Sequence, residues 1–186
     1  MPDEFQLVAG HVALDFANTL DNRYDPARRL ELLTTYDRFV AFARQSEILA
    51  GEGARKLSAH HSLARVIELR EALHFLFLAV AENQAPPRTA MKTLNRLLAE
   101  ARAAQTLVWE KDRFEWRPLK TVAPLHAIAF AAAELLTSPD RVHVRECSAG
   151  TCRWFFLDRS KNHSRRWCDM KICGNRAKAQ RFHARD

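Results

Sequence analysis

The sequence predicts a mainly α chain in two parts: a helical N-terminal domain with a short β-hairpin over residues 1–140, then a small four-cysteine module over residues 141–186. Three observations predict it. Apolar residues recur at helical spacing as far as residue 137. Between Leu107 and Leu119 the pattern switches to strand-like alternation. Beyond Pro139 lie all four cysteines and the excess of positive charge.

In chain order, His11 to Leu20 places Val12, Phe16 and Leu20 on one helical face, and Asp21-Asn22 ends it. Thr34 and Asp37 resemble a capping box opening a helix with Tyr36, Phe39, Val40 and Ala43 on one side, ending near Gly51 and Gly53. The longest helix is expected from about Ala54 to Gln84. Its stripe is Val66, Leu69, Leu73, Leu76, Phe77 and Val80, and Pro86-Pro87 close it. Met91, Leu94, Leu97, Leu98 and Ala101 mark the next helix. Leu107/Trp109 and Phe114/Trp116 flank a charged Glu110–Arg113 turn, as in a hairpin. A last helix, Val122 to Thr137, turns Leu125, Ile128, Ala132 and Leu135 inward before Ser138-Pro139-Asp140 breaks it.

The composition excludes several classes. With 47% hydrophobic residues, wholesale disorder is not expected. Asp3 and Glu4 stand where a secretory signal carries basic residues, and the apolar stretch nearest to a membrane span, Phe75 to Ala81, falls short of the roughly 18 residues required. A soluble, cytoplasmic protein without membrane partners is therefore expected. Its thiols stay reduced there, which favours metal ligation for clustered cysteines. No Gly-rich phosphate loop, Ser-centred elbow or HExxH motif is present, so no enzyme is expected.

The formal charge of +7 is unevenly placed: residues 141–186 hold 12 Lys+Arg against 4 Asp+Glu, residues 1–140 hold 17 against 18. In the basic tail, Cys147 and Cys152 form one pair and Cys168 and Cys173 another, each with a four-residue gap and with fifteen residues between the pairs. Matched short spacing lets two turns present four sulfurs to one tetrahedral Zn2+. Val142/Val144 and Trp154 to Leu157 read as strands of a hairpin carrying the first pair, and the residues after Cys173 favour helix. Hairpin knuckle first and helix-start ligand last is the layout of a treble-clef-like zinc finger with four cysteine ligands. His163, between the pairs, is the nearest competing ligand and reads better as a loop histidine.

The basic residues Arg153, Arg159, Lys161, Arg165, Arg166 and Lys171 precede the final helix; Arg176, Lys178, Arg181 and Arg185 lie in it. All but Arg159 are the candidate nucleic-acid contacts, mainly to phosphate, with Arg176 fitting equally well a packing or hydrogen-bonding role around the zinc turn. Trp154, Phe155, Phe156 and Trp167 fit core packing better than base stacking. In the N-terminal domain His11, Asp15, Asn18, Thr19 and Arg23 gather polar groups on an apolar helix. They are either a ligand-binding cluster or a set of caps and internal hydrogen bonds, the latter being the better fit.

Cys173-Gly174-Asn175-Arg176, preceded by three cysteines, resembles the CGNR zinc finger family. The segment His11-Val12-Ala13-Leu14-Asp15-Phe16-Ala17-Asn18-Thr19 resembles the start of the ABATE domain that accompanies this finger in bacterial proteins. Together they cover nearly the whole chain. The resemblance implies a bacterial stress-responsive transcription regulator, with DNA as the finger's partner and an N-terminal domain that senses a small-molecule effector or forms a homodimer. The alternative is a zinc-stabilised protein- or RNA-interaction module.

Overall fold

The computed structural model describes residues 4–48, 62–119 and 123–183. Five helices build the body: α1 (Val12–Ala17), α2 (Tyr36–Gln45), α3 (Leu63–Ala81), α4 (Arg88–Ala103) and α5 (Pro124–Thr137). Three antiparallel ribbons accompany them: β1 (Leu20–Asp21) with β2 (Leu30–Glu31), β3 (Gln105–Glu110) with β4 (Arg113–Pro118), and β5 (Val144–Glu146) with β6 (Phe155–Leu157). A π-helical turn, Met170–Gly174, leads into α6 (Asn175–His183). The mainly α fold with a C-terminal finger is thus as the sequence predicts. No helix among the described residues is long and apolar enough to cross a membrane.

The short helix α1 is the hub. Ala13, Leu14, Asp15, Phe16 and Ala17 are all buried, and the helix packs against α3, α5 and β6. It is shorter than expected. The Thr19 hydroxyl donates to the Phe16 carbonyl at 2.7 Å, the chain leaves the helix at Asn18, and Leu20 lies in β1. Phe16 meets Phe39 and Phe42 of α2 with ring centroids 5.8 Å apart in both pairs.

Other boundaries move for local reasons. The α2 cap is Thr35, whose hydroxyl accepts from the Arg38 amide at 3.2 Å, and not Thr34. That helix ends at Gln45; Gly51 and Gly53 lie outside the described residues, as do Ala54 and Val122. The α3 stripe packs as expected, with Val66, Leu69, Leu73, Leu76 and Phe77 buried and Val80 half-buried, but the helix stops at Ala81. Asn83 there takes a left-handed φ of 53°, and Pro87 opens α4. Leu94, Leu97 and Ala101 of α4 and Leu125, Ile128, Ala132 and Leu135 of α5 complete the core. The β3–β4 turn is Lys111-Asp112, both left-handed, the two-residue connection that matches strand twist.

Three residues of this core come from beyond Pro139. Val144, Phe155 and Leu157 belong to the same buried cluster as α1, α3 and α5, whereas Phe156 and Trp154 pack with the four cysteines. Alternation along β6 therefore sends one side chain set into the helical body and the other to the sulfurs.

Candidate metal centre

The β5–β6 ribbon positions the first cysteine pair. The Cys147 amide donates to the Trp154 carbonyl at 2.8 Å and the Cys152 amide to the Ala149 carbonyl at 2.9 Å, closing a knuckle with both sulfurs on one side. Val142, which the sequence assigns to the first strand, instead lies in a 3-10 turn over Pro139–His143 and is exposed. The second pair sits on the turn before α6. There an Asp169 carboxylate oxygen accepts from the Lys171 amide at 2.6 Å and the Ile172 amide at 2.9 Å. The Asn175 side chain donates to the Lys171 carbonyl at 3.0 Å. Gly174 answers to space: a Cβ there would collide with the Met170 sulfur and stand 3.2 Å from the Trp167 ring.

These turns bring the four sulfurs within 4.8 Å of one another, all buried. Cys152 and Cys168 are 3.6 Å apart and Cys168 and Cys173 3.7 Å. A tetrahedral ion with Zn–S bonds of about 2.3 Å separates its sulfurs by roughly 3.8 Å, so the cluster fits Zn2+. Cys147, Cys152, Cys168 and Cys173 would hold it, and the ion would supply structural cross-linking. Hydrogen bonds from the Cys152 and Cys168 thiols pull Cys147 down toward the thiolate, while the bond to Cys147 pushes Cys152 and Cys168 up. Burial pushes Cys173 up. Thiol hydrogen bonding and burial thus hold most of the cluster protonated, and a coordinated divalent cation would favour the thiolates.

His163 is not drawn to the sulfurs. Its Nδ1 lies 2.9 Å from the Asp158 carbonyl, and its ring stacks on His143 at 3.7 Å. Buried Asp158 accepts from the Ser160 and Arg165 amides and organises this loop. Trp154, Phe155 and Phe156 are buried and present no ring to solvent.

The basic residues divide into two groups. Arg153, with a left-handed φ of 53°, is paired to Glu146 at 2.9 Å and lies 4.2 Å over the Tyr24 ring, against the helical body. Arg165 donates to the Trp167 and Cys168 carbonyls and covers the Phe156 ring at 4.6 Å. The sequence counts both among the candidate phosphate contacts, and in the structure both engage protein groups. Lys161, Arg166, Lys171, Arg176 and Lys178 are all exposed on the same segment; Arg166 lies 5.3 Å over the Trp167 ring and Arg176 donates to the Thr151 hydroxyl at 3.5 Å. Arg159, also exposed, approaches Asp140 at 3.8 Å. Arg181 lies on α6, and Arg185 lies outside the described residues.

The five polar residues of the N-terminal motif all have internal partners. His11 caps α1, accepting from the Ala13 amide at 3.3 Å. Asp15 accepts from the Ala9 amide at 2.9 Å, and burial pushes its carboxyl up to about 6. Thr19 bonds Phe16, and Arg23 pairs with Glu71. Asn18 clamps β6: its Nδ2 donates to the Phe155 carbonyl and its Oδ1 accepts from the Phe155 amide, both at 2.9 Å. With the Leu157 amide donating to the Ala9 carbonyl at 2.8 Å, three hydrogen bonds tie the helical body to the finger ribbon.

Sequence reasoning missed a buried polar belt at this junction. Arg70, on the α3 face read as apolar, is buried between Glu31 and Glu71. His74, also buried, lies 3.0 Å from the Tyr24 hydroxyl. Its imidazole is pushed down to about 4 by burial and by the Arg23 and Arg153 cations. Nothing in the periodicity of α3 marks them, since an apolar stripe is read from the residues that fit it.

A helical body closed by a buried four-sulfur cluster defines a helical protein with a structural zinc finger. The chain belongs to the ABATE family: residues 10–139 match its model, described as "Putative stress-induced transcription regulator". Residues 143–186 match the CGNR zinc finger, and Zn2+ is the cofactor that this finger and the sulfur cluster specify. No curated protein matches the chain.

Proposed function

We propose that the protein is a cytoplasmic, zinc-dependent DNA-binding transcription regulator, with residues 141–186 as the DNA-contacting finger and residues 1–140 as the sensing or dimerising domain. One observation carries the reading: the four sulfurs gather within 4.8 Å beneath a segment that carries Lys161, Arg166, Lys171, Arg176 and Lys178 on its surface. A fixed cationic surface of this kind binds the phosphate backbone by releasing counterions. Four thiolates complete a tetrahedral shell and leave no open position for zinc catalysis, which supports a non-enzymatic role. Because His11, Asp15, Asn18, Thr19 and Arg23 are engaged internally, an effector is better accommodated elsewhere. The cleft of about 120 Å3 beside Asn22, Ile172 and Arg176 is lined by Cys152, Cys168 and Cys173 as well, so it opens onto the metal site.

The test is binding to duplex DNA across a salt series. If the five surface cations engage phosphates, log K falls against log salt with a slope of roughly −4 to −5. A flat response removes the reading. A second reading, a zinc-stabilised protein- or RNA-interaction module, is favoured by Met170 and Ile172, apolar and exposed on either side of Lys171. Tighter binding to single-stranded RNA than to duplex DNA, with heparin as the polyanion control, would select it.

A further inference from the structure

The β3–β4 ribbon sorts its side chains by polarity. One face carries Glu110, Arg113, Glu115 and Arg117 in a set of ion pairs. The other carries Leu107, Trp109, Phe114 and Trp116, which are 51%, 60%, 69% and 56% exposed. Leu107 stands opposite Trp116, and Trp109 opposite Phe114 with ring centroids 4.8 Å apart, so the apolar set forms one sheet-like surface. An isolated two-stranded ribbon is marginal in water and is stabilised when its apolar face packs on another layer. Beside it lies a groove of about 500 Å3 with an apolar floor of Leu98, Trp116, Phe130 and Ala133 and a polar rim of Gln105, Glu134 and Thr137, and with Arg102 spanning Trp116 and Phe130 at 5.7 and 5.0 Å from their ring centroids.

We infer that this surface joins two copies of the chain, the aromatic ribbon of each seated in the groove of the other about a two-fold axis. Projection and groove share Trp116, so a single surface holds both halves of a joint with an apolar centre and a polar rim, which an isologous contact requires. The apolar ribbon face carries no charge, so DNA or a charged peptide would gain nothing ionic from it. Taking about 150–250 Å2 for a whole aromatic side chain, the exposed ribbon face with Leu119 offers roughly 500 Å2 per copy. A standard interface uses about 800 Å2 per partner, and the adjoining groove supplies the difference. A patch of this size is already at the upper limit for a monomer's surface. The inference deepens the dimerising role proposed for residues 1–140 and needs no DNA for its test.

The zinc-loaded full chain is sedimented without DNA at tens of micromolar. A dimer of 21.4 kDa protomers is expected. The double variant Trp109→Glu/Phe114→Glu, altered only at exposed positions, is expected to sediment as a monomer with its helical signal and zinc content intact. Its dimer dissociation constant should rise at least about 100-fold, the scale of losing central aromatic anchors. A monomeric wild type, or a variant that still pairs with unchanged affinity, overturns the inference; ribbon tryptophans that become shielded only on adding another macromolecule overturn it in favour of that partner. A dimer that fails to bind duplex DNA would count against the proposed regulator and leave the contact standing.

Discussion

Replacing Asn18 by alanine removes both hydrogen bonds to Phe155, each 2.9 Å long and spanning 137 positions in the chain. Asn18 is 5% exposed and Phe155 1%, so the freed amide and carbonyl of Phe155 stay in a poorly hydrated junction. An unsatisfied buried backbone group costs about 1–3 kcal/mol, which makes the expected loss roughly 2–5 kcal/mol, less whatever one entering water recovers. Urea unfolding followed by far-ultraviolet circular dichroism and by tryptophan fluorescence measures it. The two probes should report one transition, because β6 contributes to both the helical core and the sulfur cluster. Asn95→Ala, on the exposed side of α4, is the control and should shift stability by no more than about 0.5 kcal/mol. A loss below about 1 kcal/mol for Asn18→Ala would refute the clamp as the link between the two parts of the chain.

Three further outcomes follow from the same geometry. Cys173→Ser should lose tightly held zinc, and because Val144, Phe155 and Leu157 lie in the helical core, it should also lower the thermal midpoint of the helical signal; an unchanged midpoint would mean that the finger folds apart from the body. His74 is neutral in the folded state and titrates near 4 against a usual 6.5, so its contribution is present above pH 6.5 and lost as pH falls toward 4. The loss amounts to about 3 kcal/mol, and wild type minus His74→Gln in urea titrations at several pH values should isolate it. Gly174→Ala should cost about 1–3 kcal/mol by overpacking against Met170 and Trp167, and adding Met170→Ala should restore part of it; equal losses in single and double variants would place the strain elsewhere.

The helices were legible because their buried residues repeat at helical spacing: Val66, Leu69, Leu73, Leu76 and Phe77 occupy the core positions that their spacing assigns. Adjacent Thr34 and Thr35 offer equivalent cap chemistry, and the structure caps the helix with Thr35. The cysteine spacing pointed to a shared cluster since each pair lies in a local turn. Contacts between distant segments left no such trace. The Asn18–Phe155 clamp and the Arg70–Glu31 pairing in the buried belt depend on which surfaces meet, and a charge count does not distinguish the solvent-facing Lys171 from Arg165, which the protein holds.

The account rests on one ion held by four thiolates, and elemental analysis with thiol counting on protein purified without chelators tests it most directly. One zinc per chain is expected, with all four cysteines slow to react until a chelator removes the metal and four reactive thiols afterwards. Protein with no bound metal, or with these cysteines joined in disulfides, would contradict it.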